Sequence, residues 1–358
     1  MLRRDNLPPL DTIDARRICI IKPSALGDVV QTLPVLTAVR ERFPRAHIAW
    51  VVNRSYAELL AGHPHLDEVI AVDRVRARPW SWSFWRSVGE LHETLRDGRF
   101  DLVLDIQGLL RSGLMTWATA AARRVGLGDS REGSRLFYTD VVGVPEQITA
   151  AVDRYWEIAQ ALGASDRVKQ FLVHTTDADR EWAERQVKPL AGLRVAVNPG
   201  ARWATKRWPV EHFAEIAGRL RRESGAGLVI VGGPEDVSAA NQLAESLGDD
   251  CVNLAGKTTL KQLAAVLARV HFMVTNDSGP MHLAAALGTP VAALFTCTSP
   301  ARARPHGDGH LVLSTNVWCA ASYLKKCSRM ACMDELTPDR VWPLVRAKIE
   351  SLRRSLAA

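Results

Sequence analysis

Apolar residues along the 358-residue chain fall into short runs separated by stretches of helical period, and the pattern is played through twice. ICIIK (18–22) reads as a short strand, and DVVQTLPVLTAVRERF (28–43) places its apolar residues three and four apart, as one face of a helix requires. HIAWVV (47–52), SYAELLAG (55–62) and DEVIAV (67–72) continue as strand, helix and strand. A basic, tryptophan-rich stretch, RARPWSWSFWRS (76–87), interrupts the rhythm ahead of a helix predicted to run to about Asp97. FDLVLDIQG (100–108) is the strongest strand of this half, and an alanine-rich helix follows. After a charged helical stretch at 176–190, LRVAVNPG (193–200) opens the second series. GLVIVGG (227–233), CVNLAG (251–256), HFMVTND (271–277), PVAALF (290–295) and HLVLS (310–314) supply its further strands. Strands alternating with helices predict the α/β class, with parallel sheets covered on both faces. The expected organisation is one domain over 1–175, a second over 176–340, and a terminal helix over 341–358 that packs back on the first domain.

Composition adds limits to this picture. Apolar residues make up 47% and charged residues 24%, the profile of a soluble globular protein. No apolar stretch reaches the roughly 18–20 residues needed to cross a bilayer. The N-terminal MLRRDNLPPLDTIDARR has no apolar segment behind its basic residues, so a cytoplasmic protein is expected. The net charge of +7 favours anionic partners: nucleotides, phosphorylated sugars, acidic lipid headgroups or nucleic acid. The arginines are spread over the chain instead of forming a stripe, which disfavours a nucleic-acid-binding module. Of the six cysteines, Cys319, Cys327 and Cys332 lie close together but lack the paired C-x-x-C spacing of a zinc site, and no metal is expected.

In open α/β sheets, ligands sit outside the carboxyl ends of the strands, and the polar residues cluster at those points. After ICIIK comes PSALGD, where Gly27 permits a tight turn and close approach of a substrate. Asp28 there reads either as a helix cap or as a general base. After LRVAVNPG, Lys206 and Arg207 lie between Trp203 and Trp208, two cations beside aromatic faces that suit a diphosphate and a nucleotide. VGGPED (231–236) offers a glycine-rich turn and Glu235 as an acceptor for ribose hydroxyls. In TNDSGPMH (275–282), Ser278 and Gly279 place backbone N–H groups at a helix start, where an anion is favoured. Asp277 reads as an acceptor from a sugar hydroxyl or as a cap, and His282 as a donor to a phosphate oxygen. No G-x-G-x-x-G, Walker A loop, H-E-x-x-H or G-x-S-x-G is present, which argues against hydride transfer, P-loop phosphotransfer, zinc-dependent hydrolysis and serine hydrolysis.

Taken in order, KPSALGDVVQTLPVLTAVRERFP, DLVLDIQGLLRSGL, NPGARWATKRWP and TNDSGPMHLAAALGTPVAALF resemble the heptosyltransferases of glycosyltransferase family 9, over roughly 16–345. The resemblance implies the GT-B architecture, two Rossmann-like domains facing each other across a cleft, with acceptor on the first and nucleotide-sugar on the second. It implies inverting transfer of L-glycero-D-manno-heptose from ADP-heptose to a lipopolysaccharide inner-core acceptor, Kdo-lipid A or heptosyl, with no metal chelated to the diphosphate. The family's catalytic aspartate falls on Asp28, its donor lysine on Lys206, and its D-[ST]-G-x-x-H cradle on Asp277, Ser278, Gly279 and His282. Gly200, Arg207 and Glu235 complete the expected donor side, and Gly27, Gln107, Arg111 and Ser112 the acceptor side. Where many members have Gly-Pro-Thr, this chain has LFTCTSP (294–300), with Thr296 and Cys297 expected to alter the donor-site wall. The tail with Cys319, Cys327 and Cys332 also resembles many members. The same fold could serve another nucleotide-sugar, a protein acceptor or an epimerase. A monomer is expected, with RARPWSWSFWRS either holding an anionic glycolipid near the inner membrane or packing its tryptophans on its own domain.

Overall fold

The computed structural model describes residues 7–73, 82–143, 149–164, 168–190, 192–248 and 251–357. The chain divides into two compact units, Met1–His174 and Thr175–Ala358. Residues 76–81 of the tryptophan-rich stretch lie outside the described residues, and helix begins at Trp82.

The first unit runs β1 (Arg17–Ile21), α1 (Leu26–Arg42), β2 (His47–Asn53), α2 (Arg54–Leu60), β3 (Glu68–Val72) and α3 (Trp82–Asp97). It continues with β4 (Leu102–Asp105), α4 (Leu110–Ala118), β5 (Arg123–Leu127), β6 (Asp140–Val142) and α5 (Ala151–Ala161). The second opens with α6 (Asp177–Val187), β7 (Arg194–Asn198), α7 (Val210–Ser224), β8 (Gly227–Ile230), α8 (Val237–Leu247) and β9 (Cys251–Asn253). Then come α9 (Leu260–Leu267), β10 (Phe272–Asn276), α10 (Gly279–Ala286), β11 (Val291–Phe295) and α11 (Pro300–Ala303). It closes with β12 (Leu311–Ser314), α12 (Ala331–Glu335) and α13 (Pro338–Ala357).

Each unit is built on a six-stranded sheet whose described pairings are all parallel. The orders are β3-β2-β1-β4-β5-β6 and β12-β11-β10-β7-β8-β9, the same doubly wound arrangement in both. β1 is sandwiched between β2 and β4, with Cys19 opposite Ala49 on one side and Val103 on the other. Such a strand is covered on both faces, which is why ICII reads as an unbroken apolar run: Ile18, Cys19, Ile20 and Ile21 are all fully buried. β7 holds the equivalent place between β8 and β10.

The terminal helix contributes to the core of the second unit. Val341, Trp342, Val345 and Ile349 repeat at helical spacing and join the core of the second unit with Phe213, Ile216 and Leu220 of α7. Its apolar face packs into the core of the unit it follows. The same core contains Trp208, whose indole N–H donates to the Leu336 carbonyl at 2.7 Å and whose ring meets Phe213 edge-on at 5.1 Å. Trp208→Ala should therefore cost the second unit about 3–5 kcal/mol, read as a lowered urea midpoint. Trp208→Phe, which loses chiefly the hydrogen bond, should cost about 1 kcal/mol.

Candidate active site

Where the strand order reverses, the loops at the carboxyl ends of adjacent strands diverge and leave room for a ligand. In the first unit that point lies between β1 and β4. Asp28 stands in the first turn of α1, and its Oδ2 accepts the Ala25 N–H at 3.0 Å, the cap-side bond expected of a carboxylate at a helix start. Capping is only part of its role, because Oδ1 accepts the Tyr155 hydroxyl from α5 at 2.6 Å. Tyr155 in turn accepts from Lys22 Nζ at 3.0 Å, and the same ammonium donates to the Ile106 carbonyl at 3.0 Å. Burial holds the Lys22 ammonium below its ordinary value, against the opposing pull of Asp28 and Asp105. Burial first, then the Asp28 charge, pushes the Tyr155 hydroxyl well up, so it stays protonated and donates.

The β4 loop is set by Asp105, whose Oδ1 accepts the N–H groups of Gln107 and Gly108 at 2.9 and 3.0 Å while Oδ2 accepts the Tyr138 hydroxyl at 2.7 Å. Gln107 reaches back to the β1 loop, its Oε1 accepting the Ser24 N–H at 3.2 Å, so the two loops form one surface beside Asp28. Gly27 is a buried helical residue in the first turn of α1, not the tight turn expected. Ser112 is buried and spends its hydroxyl on the Leu109 N–H and carbonyl, at 3.0 and 2.8 Å, closing the start of α4. Arg111 stands on the exposed face of α4.

In the second unit the order reverses between β7 and β10, and two asparagines stitch the strand ends together. Asn198 Nδ2 donates to Ser278 Oγ at 2.9 Å and Thr275 Oγ1 at 3.1 Å. Asn276 donates to the Pro199 carbonyl at 2.8 Å and accepts the Trp208 N–H at 3.1 Å, fixing both ends of the loop that carries Lys206. Ser278 occupies the cap position of α10 without its hydroxyl capping the helix. The first-turn amides thus receive no bond from that hydroxyl, an arrangement that suits an anion. His282 lies buried in the same first turn.

Asp277, expected as a cap or sugar acceptor, also has a partner within the protein. Its buried Oδ2 receives both Lys206 Nζ and the Thr298 hydroxyl at 2.6 Å, so it anchors the lysine. Lys206 also lies 5.0 Å from the centre of the Trp203 ring, and Lys325 lies 5.3 Å from that ring. Thr296 of the departing LFTCTSP stretch donates to the Thr205 carbonyl at 2.6 Å, holding the lysine loop from below. Glu235 is exposed; the neighbouring Asp236 is the buried carboxylate, its Oδ2 accepting the Gly233 N–H at 3.0 Å. Burial raises the Asp236 carboxyl, while Arg207 at 3.8 Å and Nε-bonded to the Ala201 carbonyl at 2.6 Å opposes the rise. Gly200 makes this packing possible, since a Cβ there would stand 2.1 Å from the Asp236 carboxyl carbon.

Lys22, Tyr155, Asn198, Asn276, Asp236 and Thr298 were not singled out from the sequence. A lysine closing an apolar strand and asparagines ending two others were available signals; Tyr155, 127 positions from Asp28, gave none. Among the described residues, no group of three or more His, Cys, Asp or Glu is arranged to hold a metal ion, Cys319, Cys327 and Cys332 included.

Two doubly wound units with polar clusters at both crevices define a GT-B protein, and the solved structures that superpose on it include glycosyltransferases. The profile of glycosyltransferase family 9 (heptosyltransferase) matches residues 88–333, and the chain belongs to that family. It is 30% identical over 329 residues to lipopolysaccharide heptosyltransferase 1 of Pseudomonas aeruginosa, covering 87% of each chain. A family 9 glycosyltransferase from Veillonella parvula superposes with a TM-score of 0.81 at 25% identity, over 95% of this chain and 98% of that one. The Escherichia coli heptosyltransferase WaaC with ADP-2-deoxy-2-fluoro heptose superposes with a TM-score of 0.74 at 26% identity, over 92% and 99%.

The Lys206–Asp277 pair generates a stability test. Lys206→Ala leaves a carboxylate with a side-chain exposure of 5% without its counter-charge, which should cost about 3 kcal/mol. Adding Asp277→Asn should recover most of that loss, as measured by thermal unfolding without nucleotide.

Proposed function

We propose that this protein transfers heptose from ADP-heptose to a lipopolysaccharide inner-core acceptor with inversion at the anomeric carbon. The observation that carries this reading is the Asp28 carboxylate, anchored through both oxygens at the crevice of the first unit. The lysine-and-amide cradle of the second unit supports it on the donor side. The relatives named as heptosyltransferases, one of them solved with a fluorinated ADP-heptose, supply the sugar and the nucleotide.

In the reaction the acceptor oxygen forms its bond to the anomeric carbon as the bond from that carbon to the diphosphate oxygen breaks. Asp28 takes the acceptor hydroxyl proton, and ADP leaves with the bonding electron pair. The growing negative charge on the diphosphate is met by Lys206, held at 2.6 Å by Asp277, and by the first-turn amides of α10, in the manner of preorganised stabilisation. In this scheme the cationic charge comes from the protein.

The glycolipid acceptor gives a purpose to the outer face of α4. Leu110, Leu114 and Trp117 recur at helical spacing, are 44%, 47% and 59% exposed, and have Arg111 among them. The turn Ser134–Phe137 packs beside α4 and adds exposed Leu136 and Arg135. An apolar face rimmed by arginine suits the headgroup region of an anionic membrane, and α4 follows directly from the β4 loop beside Asp28. We place peripheral membrane contact there. No described helix is long and apolar enough to cross a membrane.

Asp28→Asn should reduce heptosyl transfer by about 10²–10⁴-fold while ADP affinity by calorimetry stays unchanged. Near-normal turnover would remove Asp28 from the reaction, and release of UDP or GDP from UDP- or GDP-sugars tested in parallel should be absent. Leu114→Ser with Trp117→Ser should abolish flotation with phosphatidylglycerol vesicles. Retained flotation of the double variant would place the contact elsewhere.

A further inference from the structure

Asp28, itself half-buried, is held by a tyrosine that is in turn held by a lysine, and those two partners lie in the interior. Tyr155 is 3% exposed and Lys22 2%. The direction of the bonds follows from donor inventory. An ammonium has only donors, so where Lys22 Nζ meets Tyr155 Oη at 3.0 Å the tyrosine oxygen must accept. Tyr155 has one proton, and with its oxygen occupied on the lysine side that proton is committed to Asp28 Oδ1 at 2.6 Å. Lys22 is in turn fixed by the Ile106 carbonyl at the end of β4 and leans over the Tyr155 ring, 4.3 Å from its centre.

We infer that Tyr155 and Lys22 are positioning residues for the transfer reaction, orienting the Asp28 carboxylate toward the acceptor hydroxyl. The inference rests on the reading of Asp28 as the base. A lysine bonded directly to the carboxylate would tie up its basic oxygen in an ion pair, as Lys206 does with Asp277. The interposed phenol instead fixes the carboxylate with a neutral donor and keeps the cation one bond further away. A carboxylate has about four acceptor sites, so it can be anchored and still receive a proton.

The charged and titratable groups around this chain are few and identifiable. Lys22 feels Asp28, Arg154 and Asp105, and Tyr155 feels Asp28, Arg154 and Arg131. Arg154 is paired with Asp129. Tyr155 and the Ala25 N–H each donate to one oxygen of the Asp28 carboxylate.

Tyr155→Phe removes one oxygen from a ring that remains packed. Losing a hydrogen bond to a charged acceptor should lower kcat by roughly ten- to a hundredfold, with KM for ADP-heptose unchanged. Because a donor favours the charged carboxylate, its removal should move the acidic limb of the kcat profile to higher pH. A more basic carboxylate alone would not slow the reaction, so the fall in kcat combined with that displacement separates lost orientation from altered basicity. Lys22→Met, which frees the tyrosine proton to turn away, should shift kcat and the acidic limb in the same directions, and it carries the test if the tyrosine variant is insoluble.

Two results would overturn the inference: wild-type kcat and acidic limb in both variants while Asp28→Asn is inactive, or a rise in donor KM that accounts for the whole loss. Full turnover in Asp28→Asn would overturn the reading beneath it instead, so the two failures are told apart.

Discussion

A parallel sheet wound in both directions from its centre has one place where neighbouring loops part, and everything chemical in this protein is built around that constraint. It occurs twice, between β1 and β4 and between β7 and β10. At each place the strands run apolar and then turn polar within a residue or two: Ile21 to Lys22, Val197 to Asn198, Val274 to Thr275. The buried strands fix the backbone, and the polar residues that follow have little freedom in where they point. Precision at the crevices is inherited from the sheets.

The two crevices use the same three kinds of group with different wiring. Each has a lysine, an aspartate and a hydroxyl: Lys22, Asp28 and Tyr155 in the first unit, Lys206, Asp277 and Thr298 in the second. In the second, lysine and threonine meet the same carboxylate oxygen, so the aspartate is consumed in aiming the cation. In the first, the hydroxyl stands between, so the lysine aims the phenol and the phenol aims the aspartate. One arrangement presents a positive group and the other a negative one, as a departing diphosphate and an attacking hydroxyl respectively demand.

Local pattern exposed most of the fold and the outlines of the crevices. Strand runs such as ICIIK and FDLVLD are apolar because both faces are covered, and that shows in a single sequence. Asp28, Lys206 and the 277–282 cradle stood out because polar residues follow those runs directly. What did not show were partners distant in the chain. Tyr155 looks like an ordinary apolar-face residue of α5, and only the fold brings it to Asp28. Ser112 shows the same limit: its position after a strand suggests a ligand contact, and the fold adds that it closes the start of α4 through Leu109. The amphipathic face of the terminal helix says that it packs and does not say on what; the fold supplies the core of the second unit.

That last helix ends the chain but not the influence of the chain's end. Trp208, which closes the lysine loop, is bonded to Leu336, and Thr205 within that loop donates to the Leu324 carbonyl at 2.6 Å. The loop that carries Lys206 is thus seated on residues more than a hundred positions downstream, in the segment leading to α13. The far end of the chain thereby sets where that lysine stands, although neither of its residues there belongs to a strand of the sheet.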